Sequence, residues 1–479
     1  DYRSQELVFD RLWYHDAITN ELQSRIVEEY ELVDAGRAVK ISLKEGIKWH
    51  TGKALTSKDI CFTVKALLDK RTPSPIAAEY RQFLSGCSTQ GSQTAVISFT
   101  RVFHNPRERL GFAVLPESVF RGKTAISPDL EFSARPTGTG PFKGGRGKRG
   151  VIFDAFTNAH HTPAVAQLQL QEGGDPLINV KTLINNGVQG IIAVPPPLRP
   201  DLSASDDVAL KSYDLRSWWF VAVNNNKGPL ADKRVRQALN LMLNRTELRE
   251  LSIGVKPGEK NSPCELISGP FVQSSPYYNR AVETVERSQV RRAEGLLKEA
   301  GLTKVGGRWH YKNKPVSLRI GMLAPLDNEA PDLLSQVGNQ IGAGGFERQQ
   351  FKISLDDWNR KVVTGQALDY DLVVGKWSFG IVEDVNHLFH TRKNNQGKAN
   401  IFNYSNSEVD SILVEFDKAR TDTAAQDAYH KLHELLADDL PYLFLWKLDT
   451  KSAWRTEVRG NIISPYYYFA EIDSWKYQK

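Results

Sequence analysis

The sequence predicts a mixed α/β protein built from more than one lobe. Strand-like alternation and helix-like periodicity take turns along all 479 residues, the pattern of packed sheet and helix layers. At roughly 100–200 residues per domain, that length makes about three domains or lobes. Composition is ordinary, with 41% hydrophobic, 25% charged and 10% aromatic residues, which excludes disordered, collagenous and disulfide-scaffold classes. The 62 Lys and Arg exceed the 56 Asp and Glu by only 6, too little to imply a nucleic-acid partner. No run reaches the roughly 18–20 uninterrupted apolar residues of a membrane span. Gly190 to Leu198 and Leu440 to Leu448 are the most apolar, and Pro or Lys breaks each. The sequence opens at Asp1 without the basic and apolar regions of an export signal. A mature exported chain, a trimmed one and a cytosolic one would all start this way. Ten Trp and 16 Tyr stand against 2 Met, rings as suited to gripping a ligand as to filling a core.

The elements follow in order. Ala38 to Lys44 (AVKISLK) alternates as a half-buried strand does. WHTGKALTSKDICFTVKALLD then reads as turn and helix. Gly46 and Gly52 permit turns around Trp49 and His50. Thr56 with Asp59 is a helix-start signal that satisfies free amides. Pro73 and Pro75 end that region, and Gln93 to Thr100 is a strand. Arg135 to Gly150 is rich in Gly and Pro, and Gly138, Gly140 and Pro141 allow a tight change of direction before the strand VIFDAF. Pro195 to Pro200 is a stiff connection. Asn224 to Asn226 can bond backbone at an irregular strand end. Asp232 caps one helix running through KRVRQALNLMLNRTELREL, with Val235, Ala238, Leu239 and Met242 on one face. Val290 to Ala300 is a helix stopped at Gly301. Lys314 to Gly321 is strand-like, and Asp369 to Trp377 is a buried strand. Glu408 to Arg420 and Ala424 to Asp438 are amphipathic helices, and Pro441 precedes the strand YLFLW. There is no internal repeat.

Chemistry-bearing motifs are few. Cys61 falls in the apolar pattern of Ile60, Val64, Leu67 and Leu68 and reads as core; Cys87 and Cys264 could pair, and the pairing stays open. Gly145 to Gly150 formally matches G-x-G-x-x-G, but a strand follows where a dinucleotide site needs a helix, so it reads as a basic hairpin. Gly122-Lys-Thr124 lacks the earlier glycine of a phosphate loop. HKLHE is not the HExxH zinc motif, which leaves His430 and His433 on or near a solvated face. His387 and His390 have helical spacing near Glu383 and Asp384, but a metal would need a placed third ligand. No metal or cofactor is assigned. No G-x-S-x-G elbow and no activated Cys occur, so a binding protein is expected rather than an enzyme. The basic runs 143–149 and 231–236 read as solvated surface.

Five segments, in fixed order, resemble the large family 5 extracellular solute-binding proteins that serve ABC importers of oligopeptides, dipeptides and nickel chelates. VKISLKEGIKWHTGKALTSKDICFTVKALLD (39–69) is similar to the family's F-x-L-R-x-G-x-x-F/W-H-D-G-x-P-L-T-A-x-D-V-x-F-S pattern. ARPTGTGPFK (134–143) resembles its P-x-G-T-G-P-Y/F turn. VAVNNNKGPLADKRVRQALNLMLNRTEL (221–248) is similar to its F-N-x-x-x-P-P-F-x-D-x-R-V-R segment. RRAEGLLKEAGLTKVGGRW resembles A-x-x-L-L-x-E-A-G, and the stretch from NIFNYSNSEVD to LPYLFLW resembles the family's C-terminal pattern. One such match is weak; the ordered set from 39 to 446 is specific.

The resemblance implies a two-lobed periplasmic-binding-protein fold, type II-like and of the large class with an extra subdomain. Residues 1–14, 131–220 and 447–479 would form lobe one, 15–130 its extra subdomain, and 221–446 lobe two. It implies hinge closure over a small organic or peptide-like ligand, delivery to a membrane permease, a monomer, and a periplasmic or extracellular place, lipid-anchored in some forms. The alternative is a cytoplasmic ligand-sensing domain of a transcriptional regulator. The implied ligand-binding residues are Trp218, Trp219, Phe220, Trp377 and Trp446 as aromatic walls, with Tyr80, Gly380, Glu383, Asp384 and His387. In peptide-binding members a W-x-x-D-x-x-x-P segment supplies a Trp to the pocket and an Asp to the peptide α-amine. Here KWSFGIVEDVNHLFHT puts Trp377 at the Trp and Gly380 at the Asp. A buried ammonium needs a charged or multiply bonded partner, so either Glu383 or Asp384 serves from a shifted position or the ligand has no free α-amine. The second is favoured. The resemblance also implies a first strand ahead of ELVFDRLWYHD that this sequence does not include.

Overall fold

The computed structural model describes every residue except 1, 17–18, 20, 73, 122, 124, 127–129, 149, 214–215, 255–263, 365–368, 380–382, 392–399, 464–465 and 479. Pro73, both ends of the Gly122-Lys-Thr124 segment and Gly380 thus lie outside the described residues. The chain divides into two compact units. Unit 1 comprises 1–194, 200–213 and 451–479, and unit 2 comprises 195–199 and 214–450.

Unit 1 holds two main parts. The first is a four-stranded antiparallel sheet ordered Val27–Val33, Ala38–Leu43, Thr94–Phe99, Leu84–Gln90. Helix Ser57–Leu68 covers it, entered as the Thr56–Asp59 pair predicts: the Asp59 carboxylate accepts the Thr56 N–H at 2.9 Å. Pro75 does not end a helix but begins the short helix Pro75–Tyr80, where its missing N–H costs nothing. A core running from Leu12 to Val114 closes this part. Cys61 lies in that core but is not a free thiol: it forms a disulfide with Cys87, and Cys264, buried in unit 2, forms no disulfide among the described residues. Helix Ser57–Leu68 packs over strand Leu84–Gln90 and brings the two cysteines together.

The second part contains strands Phe142–Gly147, Gly150–Ala155 and Gln167–Leu170, and a smaller sheet ordered Gly190–Ile191, Lys451–Arg455, Val208–Ser212. The 145–150 glycines form the end of a hairpin, with Gly147 opposite Gly150. The 138–141 turn needs its glycines for a tertiary reason. A Cβ on Gly138 would lie 1.7 Å from the Val8 carbonyl oxygen, and the Gly140 N–H donates to that same oxygen at 2.9 Å. The Gly138 N–H donates to His50 Nδ1 at 3.2 Å, and His50 Nε2 reaches the Gly140 carbonyl at 2.9 Å. Two of the sequence motifs, separated by about 90 positions, are therefore one joint.

Unit 2 is built on a six-stranded mixed sheet ordered Cys264–Leu266, Tyr442–Leu448, Ser217–Val223, Leu372–Ser378, Ser317–Leu323, Glu347–Ile353. The first four strands are mutually antiparallel, and Ser317–Leu323 runs parallel to both its neighbours. All seven residues of Ser217–Val223 are buried, as expected of an inner strand covered on both faces. That strand pairs with Leu372–Ser378 along its whole length, so 217–220 belongs to unit 2, not to the first lobe where a crossing at 220/221 would put it. The helix begun at Asp232 also differs from expectation. It spans Lys233–Met242 and stops, and Asn244 caps a separate helix Arg245–Ile253 by accepting the Glu247 N–H. Arg236, in a run expected to be solvated, is buried and donates to the carbonyls of Asp439, Leu230 and Ala231. The Asn224 and Asn225 side chains tie the end of the inner strand to Tyr370 and Phe402 carbonyls.

Candidate functional site

Trp218, Trp219, Phe220 and Trp446 are fully buried in the unit 2 core and offer no surface to a ligand. Trp218 and Phe220 point to one side of their strand, packed on Phe379, Phe444 and Tyr442. Trp219 stands opposite Trp446 across the strand pair, with the Lys376 ammonium 5.8 Å from its ring centre. Each such ring removes roughly 150–250 Å² from water, a gross gain of about 4–6 kcal/mol at ~25 cal/mol per Å². That gain is fully taken only inside the sheet layers, which is the physical reason the core reading wins for these four. The indole N–H groups of Trp218, Trp219 and Trp446 have no acceptor among the described residues. Tyr80 is in unit 1, half-buried against Phe83 and Phe112 in the four-stranded part.

Trp377 is placed differently. It is half-buried at the end of strand Leu372–Ser378. Its ring stacks on Phe220 at 5.9 Å, meets Trp358 at 6.0 Å, and stands edge-on to His387 at 6.3 Å. Trp358 and His387 are half-buried as well. His387 lies in the one-turn helix Asn386–Phe389, and burial lowers its pKa against the opposing pull of Asp384. These three side chains form an aromatic surface with a neutral imidazole at its edge.

The two candidate carboxylates beside it are already committed. Glu383 is buried, with its Oε2 3.1 Å from Arg216 Nη1 and accepting the Ser275 hydroxyl at 2.6 Å. Burial raises its pKa, and Arg216 and Ser275 pull it back. Asp384 uses Oδ1 to accept the Asn386 N–H at 2.9 Å, a local turn role. His387 and His390 belong to no group of three His, Cys, Asp or Glu ligands among the described residues. His433, expected near solvent, is fully buried. The Asn279 N–H donates to its Nδ1, and its Nε2 faces the Ser268 hydroxyl.

One cluster has no counterpart in the sequence reading. Asp10, His160 and His161 of unit 1 bring one ligand atom each to within 4.8 Å of one another. The adjacent histidines were a visible signal, but their carboxylate lies 150 positions away.

The profile of the bacterial extracellular solute-binding proteins, family 5 (middle region), matches residues 21–399. The chain belongs to this family. The oligopeptide-binding protein AppA of Bacillus subtilis is 22% identical over 478 residues, covering 94% of this chain and 82% of that protein. A probable di/tripeptide-binding protein of Pseudomonas aeruginosa is 21% identical, covering 97% and 89%. Among solved structures, AppA of B. subtilis in complex with a nonapeptide superposes with a TM-score of 0.84 at 20% identity, covering 100% of this chain and 94% of that one. NikZ of Campylobacter jejuni in complex with Ni(L-His) gives 0.81 at 17% identity, covering 98% and 94%. The fold class of this family 5 chain is therefore that of the two-lobed periplasmic binding proteins. It is a solute-binding protein of the kind that serves ABC importers, and the regulator reading finds no support among these relatives.

Proposed function

We propose that this family 5 protein captures a small, peptide-like organic ligand whose recognition does not run through an ammonium–carboxylate pair at 380–384. The observation that carries this reading is the commitment of Glu383: a carboxylate buried against Arg216 and Ser275 is not available to a ligand amine. The half-buried rings of Trp358, Trp377 and His387 supply the contact surface instead. The ligand is delivered to a membrane permease after hinge closure, and the protein acts as a monomer, without catalysis. The Cys61–Cys87 disulfide fits a place outside the reducing cytosol. Relatives named for oligopeptides and di/tripeptides support a peptide-like ligand class.

The test starts from the purified chain. Ligand released on denaturation is identified by mass spectrometry. Calorimetry then compares free and N-acetylated di- to pentapeptides. The expected result is a ligand without a free α-amine, tolerance of acetylation, and loss of binding in Trp377→Ala. Tight and selective uptake of free peptides that acetylation abolishes would overturn the proposal.

A further inference from the structure

We infer that Asp10, His160 and His161 form a site for a divalent first-row transition-metal ion, independent of the ligand surface proposed on unit 2. Asp10 lies just after helix Gln5–Val8 and is 4% exposed. The two histidines follow strand Gly150–Ala155, and their ring centres are 4.6 Å apart. His160 Nε2 lies 3.4 Å from Asp10 Oδ2, and His161 Nε2 lies 3.5 Å from Asp10 Oδ1.

Those separations leave room for an ion between the groups. A charge-assisted N–H···O bond closes to about 2.7–2.9 Å, and neither nitrogen comes that near. Two ligands held at about 2.1 Å from one cation in tetrahedral geometry stand about 3.4 Å apart. The two His–Asp10 separations match that spacing, and one ligand atom from each of the three residues lies within 4.8 Å of the others. His161 Nε2 is buried, makes no closed hydrogen bond among the described residues, and is turned to Asp10 Oδ1 at 3.5 Å. Two imidazoles and one carboxylate make a 2-His-1-carboxylate donor set that suits Zn²⁺, Ni²⁺ or Co²⁺.

The surrounding shell is that of a supported metal site. His161 Nδ1 is 2.9 Å from Asp473 Oδ2 and 3.0 Å from Oδ1, which turns Nε2 toward Asp10 as carboxylate–histidine pairs do behind metals. The Thr139 hydroxyl donates to Asp10 Oδ2 at 2.7 Å and fixes that carboxylate. Arg25, 3.6 Å from Asp473, offsets one of the two negative charges, so a divalent ion is not over-neutralised. His160 sits at the surface with its side chain turned inward and 17% exposed, which gives an ion a way in. Three protein ligands leave a coordination position for water.

The metal-stripped full chain, with any affinity tag removed, is titrated with Zn²⁺ and Ni²⁺ by calorimetry, and Co²⁺ loading is followed by its visible absorption. We expect one equivalent of metal and a rise in Tm on loading. His160→Ala, whose ion pair and ring contact among the described residues are with Asp10 and His161, should keep the apo Tm and lose the binding. Asp473→Asn should weaken binding about 10–100-fold while keeping the stoichiometry. Absence of binding for all three cations overturns the inference, as does stoichiometric binding that survives His160→Ala.

Discussion

Replacing His433 should remove a defined part of the acid sensitivity of unit 2. The side chain projects from helix Asp422–Asp439 into the core and is fully buried. Because the Asn279 N–H donates to Nδ1 at 2.9 Å, the ring proton sits on Nε2, which donates to Ser268 Oγ at 3.1 Å. A second proton would displace the Asn279 bond and charge the core. Burial, reinforced by His430, accordingly lowers the pKa from 6.5 to about 4. The unfolded chain takes up this proton below about 6.5, while the folded chain stays neutral until about 4. The stabilising contribution is therefore complete above pH 6.5 and is lost as pH falls through 4. A separation of about 2.5 between the two pKa values corresponds to roughly 3 kcal/mol. His433→Asn keeps an acceptor near Nδ1 but does not titrate. Urea unfolding followed by tryptophan fluorescence, at steps from pH 7 to pH 4, compares it with the parent. The variant is less stable at pH 7 because it leaves a cavity, and the gap closes by roughly 3 kcal/mol on the way to pH 4. A gap that stays constant over that range refutes the reasoning, since carboxylates common to both chains cancel in the difference.

Gly138→Ala places a Cβ 1.7 Å from the Val8 carbonyl oxygen, a clash with backbone that no rotamer relieves. It should cost more than the roughly 0.5–3 kcal/mol of ordinary substitutions, whereas Gly145→Ala, with nothing within 4 Å, should stay within about 0.5 kcal/mol. Equal melting temperatures for the two would refute this. The Cys61–Cys87 disulfide closes a 26-residue separation, worth about 3.5 kcal/mol by loop entropy. The double variant Cys61→Ala/Cys87→Ala should therefore show a lower urea midpoint, and a midpoint unmoved by either the variant or reductant would count against the bond.

Local signals in the sequence were reliable where the partner is near in the chain. Asp232 was legible as a cap because it acts on the Arg234 N–H two residues on, and the Thr56–Asp59 pair because its bonds span three. The break after Met242 was missed because the apolar face continues across it, and only the Asn244 cap separates the helices. In the candidate site, the family resemblance singled out Trp377, which the structure leaves half-buried at a strand end, but Trp218, Trp219 and Trp446 look the same in sequence and are buried. Which aromatic is wall and which is core depends on what covers the sheet, and that is set by elements far along the chain.

The sequence by itself determined the α/β alternation, the caps and the order of family motifs, because helix period, strand alternation and capping act over a few residues. Tertiary structure decided what is settled by contacts between distant segments. It gave Gly138 its necessity through Val8, paired Cys61 with Cys87 rather than with Cys264, drew His433 into the core, and committed Glu383 to Arg216 and Ser275. It also brought Asp10 to His160 and His161. Burial and approach distance exist only once the chain has folded back on itself, and those two quantities decide whether a polar side chain is a scaffold bond or a site.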